Sequence, residues 1–173
     1  MGLLDSVGDL LKQYTGGGTA NTANASDHFD KVAQAVPQDA IADGLSAVFR
    51  SDQTPAFGNI VSNLFSQSTG EQKAGLLNQL ISSVGPGALT QLAGGGMLAS
   101  LLGGGAKTLT PDQAQNVSPE LVQQLASHAE QTNPSIVDKA STFYAQHPML
   151  VKTLGSAALS IALAKVAQRQ RAA

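Results

Sequence analysis

The stretches Ala40-Ile-Ala-Asp-Gly-Leu-Ser-Ala-Val-Phe49 and Ala56-Phe-Gly-Asn-Ile-Val-Ser-Asn-Leu-Phe65 decide the fold class of this chain. In both, apolar side chains recur every three or four residues, which is the spacing of one face of an α-helix. Nearly every apolar residue of the 173-residue chain follows the same spacing, and no stretch alternates apolar and polar residues long enough for a strand. The sequence therefore predicts an all-α protein, a compact cluster of about eight to ten short helices.

The two stretches also align with each other at an offset of 16 residues. We interpret this similarity as a shared amphipathic template for consecutive helices. A true solenoid is the alternative, but its repeats are normally about 20 residues or longer.

Capping residues mark where the predicted helices begin. Thr54, Thr110, Ser118 and Asn133 each precede a proline. The side chain of such a residue accepts a hydrogen bond from a backbone N–H of the first helical turn. Proline is tolerated at the first helical position because the N–H that it lacks would have no partner there. Thr69 and Gln72 predict a capping box. The helices are predicted near residues 27–35, 38–50, 55–67, 70–84, 87–93, 97–102, 111–116, 119–131, 134–146 and 148–168.

The N-terminal segment is predicted to be an amphipathic helix tethered to the rest of the chain. Residues 1–14 carry the helix, and residues 15–26 have the glycine-rich and polar composition of a flexible linker. Residues 27–173 are predicted to form a helical domain. This domain contains a glycine-rich hinge at 94–106, where two glycine triplets bracket a short apolar segment.

Composition and spacing argue against several classes of function. A net charge of −2 provides no basic field for nucleic acid, and the absence of cysteine excludes thiolate catalysis and cysteine-bound zinc. His28, His128 and His147 belong to three different predicted helix termini or faces and show no metal-ligand spacing. No catalytic, cofactor-binding or metal-binding set of residues can be singled out. We therefore expect a protein that is not an enzyme and needs no cofactor.

The apolar stripe of the N-terminal helix is the first candidate interaction site. A helix of this length is marginal in water alone, so the stripe must lie on its own core, on another protomer or partner protein, or on a membrane surface. Asp5, Asp9 and Lys12 on the polar face are unlike the basic face of helices that bind anionic membranes. The first hypothesis is therefore a scaffold protein that self-associates or docks a partner through this helix. The stripe consists of Leu3, Leu4, Val7, Leu10 and Leu11.

The second hypothesis is a carrier of an apolar ligand or lipid. Met97, Leu98, Leu101 and Leu102 lie between the two glycine triplets and are a possible lid over a helical pocket. The alternative is a short core plug, since exposed apolar patches are uncommon in monomers.

The sequence also supports an expectation about location. The N-terminus lacks the basic and continuous apolar run of a secretory signal, because Asp5 and Asp9 interrupt its apolar segment. The apolar part of the last helix, between Lys152 and Lys165, is too short to cross a hydrocarbon core of about 30 Å. We expect a cytoplasmic protein, with peripheral membrane contact as the alternative.

The first 105 or so residues resemble the YidB-like family of bacterial proteins of unknown function. The resemblance rests on Met1-Gly-Leu-Leu-Asp-Ser6, on Phe57-Gly-Asn-Ile-Val-Ser-Asn-Leu-Phe65, on Gly75-Leu-Leu-Asn-Gln-Leu80 and on the glycine breaks. It implies a small all-helical bacterial protein and assigns no functional residues. Residues 118–173 depart from the family pattern.

Overall fold

The computed structural model describes residues 2–15, 22–85, 87, 89, 91, 100 and 108–172. Residues 2–15, 22–85 and 108–172 form ten α-helices, and none of the described residues lies in a β-strand, which confirms the predicted all-α class. The described residues also contain two 3₁₀ turns, Thr22–Asn24 and Lys152–Leu154. The α-helices are α1 Leu3–Thr15, α2 Ala25–Ala35, α3 Gln38–Phe49, α4 Phe57–Gln67, α5 Gly70–Val84, α6 Pro111–Gln115, α7 Pro119–Thr132, α8 Ser135–Ala145, α9 Pro148–Val151 and α10 Ser156–Ala172.

Backbone contacts divide the chain into two compact units. Unit 1 comprises Met1–Thr54 and Ser141–Ala173, and unit 2 comprises Pro55–Ala140. This division differs from the expected single helical domain over 27–173. One boundary between the units, at residues 140 and 141, falls inside α8. The helix continues through this boundary, so no linker composition marks it in the sequence.

Unit 1 is organised around its last helix, α10, which packs against α1, α2 and α3. Its inner face is formed by small and medium apolar residues that include Ala162, Leu163 and Val166, all buried. Gly44 allows α3 to approach this face closely, because a Cβ atom there would lie 2.8 Å from the carbonyl oxygen of Ala162. The two helices are therefore closely packed at this point, where a side chain larger than that of glycine does not fit.

Unit 2 is built from the pairs α4–α7, α5–α6 and α5–α7. Gly58 on α4 faces Gln123 and Ser127 on α7, and a Cβ atom at residue 58 would lie 2.7 Å from the Gln123 carbonyl oxygen. Asn78 on α5 accepts from the N–H of Leu109 at 2.7 Å and donates to its carbonyl oxygen at 3.3 Å. The side chain thereby satisfies both backbone groups of Leu109, a buried residue just before α6.

Of the five predicted caps, three are confirmed and one is wrong. Thr69 with Gln72, and Thr110 with Gln113, form capping boxes at α5 and α6, and the Ser118 hydroxyl accepts from the N–H of Leu121 at α7. The predicted cap at Thr54 is wrong, since α4 begins at Phe57.

The Thr54 hydroxyl instead donates to the carbonyl oxygens of Val48 and Ser51, at 2.6 and 3.0 Å, and so closes the end of α3. The helix that follows Asn133, α8, begins at Ser135, one residue later than the sequence predicts.

Two further segments differ from the sequence expectations. The predicted linker 15–26 is too long, because Thr15 belongs to α1, Thr22–Asn24 form a 3₁₀ turn and α2 begins at Ala25. Ala25 is fully buried, and this tertiary contact orders a segment of poor helical composition.

The helix predicted over 148–168 is interrupted at Gly155, where φ is 90° and ψ is 164°. Essentially only glycine adopts this region, so α9 and α10 are separate helices. The apolar residues on both sides continue the helical spacing and conceal the break.

Candidate binding cleft between helices α1 and α2

The structure divides the predicted apolar stripe of α1 between two roles. Val7 and Leu11 are buried, with 6% and 4% of their surface exposed, and α1 packs against α10 and α2. Leu10 is only half-buried. The side chains of Leu3 and Leu4 lie outside what the structure describes. Part of the stripe thus attaches α1 to its own unit, and Leu10 is left partly exposed to a neighbouring cleft.

A cleft of about 690 Å³ lies between α1 and α2 in unit 1. Its lining side chains fall three or four residues apart on each helix, so they form two facing rows. Val7, Leu10 and Ala35 give the cleft an apolar floor. The polar side chains at its rim are Ser6, Asp9, Gln13, His28, Lys31 and Gln34.

A hydrogen bond between α1 and α2 holds one end of the cleft. The hydroxyl oxygen of Tyr14 lies 2.7 Å from Nδ1 of His28, and the two rings meet edge to face with their centroids 5.8 Å apart. Partial burial raises the pKa of the Tyr14 phenol above its ordinary value of 10.0, so the phenol keeps its proton at neutral pH. When Tyr14 donates to Nδ1, the ring proton of neutral His28 is on Nε2.

The charges at the rim are unequally paired. Asp9 and Lys12 form an exposed ion pair at 2.8 Å. The Lys31 ammonium makes no ion pair or hydrogen bond among the described residues, although Asp27 precedes it by one turn on α2. Among the described residues that line the cleft, Lys31 is therefore a cation without an ion-pair partner.

The remaining predicted site residues are outside the described part of the chain. Met97, Leu98, Leu101 and Leu102, the possible lid or ligand segment, lie in residues 92–107, of which only residue 100 is described. The glycine-rich hinge at 94–106 falls in the same region. The lid hypothesis therefore stays a prediction.

Two acidic residues of α3 have contacts on α10, and the two other histidines considered in the sequence lie apart. Asp43 pairs with Arg169, whose guanidinium also donates to the carbonyl oxygen of Asp39 at 3.1 Å. This ion pair joins α3 to α10. His128 lies on α7 and His147 precedes α9, in different units from each other. Within the described residues, no group of three or more His, Asp or Glu side chains is arranged to hold a metal ion.

Two other surface depressions are less suited to an apolar ligand. One, of about 190 Å³, lies between α1 and α10 next to Leu11 and Arg171. The other, of about 590 Å³, follows α7 and is lined by glutamine, serine, glutamate and histidine side chains. Of the three depressions, the α1–α2 cleft combines the larger volume with an apolar floor.

The Tyr14–His28 contact could not be identified from the sequence. Its two residues are 14 positions apart and separated by a segment with linker composition. The sequence contains a partial indication of the cleft on α2. His28, Lys31 and Ala35 recur there at helical spacing, which places polar and apolar groups on the same face of the helix.

No family model, curated protein or solved structure matches this chain. The similarity to the YidB-like family stays a prediction. In the part of the chain that the structure describes, no helix has both the length and the apolar character that crossing a membrane requires.

Proposed function

We propose that this protein is a non-enzymatic binding protein that holds an apolar ligand in the α1–α2 cleft. One observation carries the proposal: a cleft of about 690 Å³ has an apolar floor and a polar rim. Ligand sites in proteins have volumes of about 300–1,000 Å³ and combine apolar lining with a few polar groups that fix orientation.

The burial of Val7 and Leu11 supports a preformed cleft. Because these side chains attach α1 to its own unit, the helix is held in place before any ligand arrives. The Tyr14–His28 hydrogen bond adds a second connection at the end of α1. A preorganised wall avoids the cost of ordering the helix on binding.

A neutral fluorescent probe tests this function. N-phenyl-1-naphthylamine gains fluorescence in apolar surroundings, and we expect the full chain to bind it. Leu10→Asp places a carboxylate on the cleft floor, which opposes binding of an uncharged aromatic molecule. Met149→Asp is the matched control, because Met149 is 73% exposed and does not line the cleft.

Retention of binding in Met149→Asp and its loss in Leu10→Asp would support the proposal. Circular dichroism verifies that both variants remain helical. Equal binding by both variants, or no binding by the original chain, would contradict it.

A second candidate function is docking of a partner protein or a second copy of this chain through α1. The two facing rows of side chains favour it, since a groove between two helices can accept the apolar face of a third. Val7 and Leu11 are buried, so among the described side chains of the stripe Leu10 is the one that such a partner would contact.

Size-exclusion chromatography with light scattering distinguishes self-association from ligand binding. Docking of a second copy predicts a dimeric mass that becomes monomeric in Leu10→Asp and stays dimeric in Met149→Asp. A monomeric mass for all three chains would count against self-association.

A further inference from the structure

We infer that the ligand of the α1–α2 cleft is a single-chain anionic amphiphile, such as a fatty acid, whose carboxylate pairs with Lys31. The inference rests on the proposed function and adds the chemical class of the ligand. It depends on the placement of charge and apolar surface within one cleft.

The charge at the rim favours an anion. Lys31 lines the cleft and has no ion-pair partner among the described residues, whereas the acidic lining residue, Asp9, is paired with Lys12 at 2.8 Å. A ligand carboxylate would therefore meet the unpaired ammonium of Lys31, while the negative charge of Asp9 is balanced by Lys12. A cationic headgroup would meet Lys31 with the same sign of charge and would be repelled.

His28 provides a second group for the same headgroup. It lines the cleft, and Tyr14 occupies its Nδ1 at 2.7 Å. Nε2 has no hydrogen-bond partner within the described residues. The tautomer in which Tyr14 donates places a proton on Nε2, and a protonated imidazole has one there as well. In both forms His28 can donate to a carboxylate held by Lys31, three residues further along α2.

The floor suits an unbranched hydrocarbon chain. Val7, Leu10 and Ala35 form an apolar surface between the two helices. Burial of one methylene contributes about 0.8 kcal/mol, which corresponds to about a fourfold gain in affinity per added methylene. Affinity should therefore rise with chain length until the cleft is filled.

The test compares headgroups on the same chain. Isothermal titration calorimetry on the full chain measures binding of decanoate, decan-1-ol and decyltrimethylammonium below their aggregation concentrations. We expect decanoate to bind up to about fivefold more tightly than decan-1-ol, because one exposed ion pair contributes at most about 1 kcal/mol. Decyltrimethylammonium should bind more weakly than the alcohol.

Two substitutions at one position assign the preference to Lys31. Lys31→Gln should remove the advantage of decanoate over decan-1-ol, and Lys31→Glu should reverse it. Lys165→Glu makes the same charge change at an exposed residue of α10 that does not line the cleft, and should retain the preference. Binding of decan-1-ol should change less than twofold in all three variants.

The outcomes separate this inference from the proposed function. Binding of decan-1-ol and decanoate with equal affinity, unchanged in Lys31→Glu, would leave a cleft for apolar ligands and overturn the choice of an anion. Absence of binding of all three compounds would overturn both proposals. A preference for decanoate that is lost in Lys165→Glu as well as in Lys31→Glu would show a general charge effect and overturn the assignment to Lys31.

Discussion

Truncation of Leu11 should destabilise unit 1 more than truncation of the adjacent Leu10. Leu11 is 4% exposed and lies beside α10, whereas Leu10 is half-buried at the cleft. Leucine-to-alanine changes at buried positions lower the free energy of unfolding by about 2–5 kcal/mol. The small depression of about 190 Å³ beside Leu11 lets solvent and side chains relax into the vacated space. This relaxation favours the lower part of the range, about 2–3 kcal/mol.

Leu10→Ala is the matched control on the same helix. Full burial of a leucine side chain contributes about 1.5–3 kcal/mol, so a half-buried one should cost about 1 kcal/mol when truncated. Both substitutions improve helix propensity slightly, and this contribution cancels in the comparison. The two variants should therefore differ by about 1–2 kcal/mol, with Leu11→Ala the less stable.

Urea unfolding followed by circular dichroism at 222 nm measures this difference. Native-state hydrogen exchange adds a local measurement, because detachment of α1 alone would remove amide protection from α1 and leave that of α3 intact. If Leu11→Ala and Leu10→Ala lose the same free energy, and α1 amides exchange freely in the original chain, then α1 is not docked on its own unit.

Three further predictions follow from packing and burial. Gly44→Ala should lower the free energy of unfolding by about 1–3 kcal/mol, because the new Cβ meets the Ala162 carbonyl oxygen. Gly8→Ala, with open space around it in α1, should instead raise the free energy of unfolding by up to about 1 kcal/mol. Urea unfolding measures both changes. Gly155→Ala should lower the free energy of unfolding by about 1–3 kcal/mol. The cause is backbone strain alone, since φ is 90° and no atom lies within 4 Å of the new Cβ. A change below about 0.5 kcal/mol would contradict the observed conformation. Burial raises the pKa of Tyr144 above its ordinary value of 10.0, so the folded state keeps this proton and stability should fall as pH rises above 10. In a Tyr14→Phe variant, which leaves Tyr144 as the only tyrosine, absorbance at 295 nm should show the phenolate only on unfolding, and its appearance in the folded chain near pH 10 would contradict the burial.

The local features of the fold could be predicted from the sequence. Short-range signals determine where α5, α6 and α7 begin, because a capping box needs only residues three positions apart. The helical periodicity of residues 40–49 and 56–65 is also a local property, and both stretches contribute to helices. Signals of this range suffice for the class and the approximate helix bounds.

Features that depend on distant residues could not be predicted. The break at Gly155 is hidden by apolar spacing on both sides, and glycine within a helical pattern does not by itself require a positive φ. Residues 22–26 have a linker composition, yet Ala25 is buried by tertiary packing. The candidate cleft depends on the orientation of α1 relative to α2, which Val7, Leu11 and the Tyr14–His28 contact fix.

Methyl NMR during titration with decanoate tests most directly whether the α1–α2 cleft is the binding site. The methyl groups of Leu10 and Ala35 line the cleft, and those of Leu64 and Leu77 are fully buried in unit 2 and serve as internal controls. We predict saturable shifts of the Leu10 and Ala35 methyl signals with no change at Leu64 and Leu77. Saturable shifts confined to Leu64 and Leu77, or no saturable shift at Leu10 and Ala35, would contradict the assignment of the cleft as the binding site.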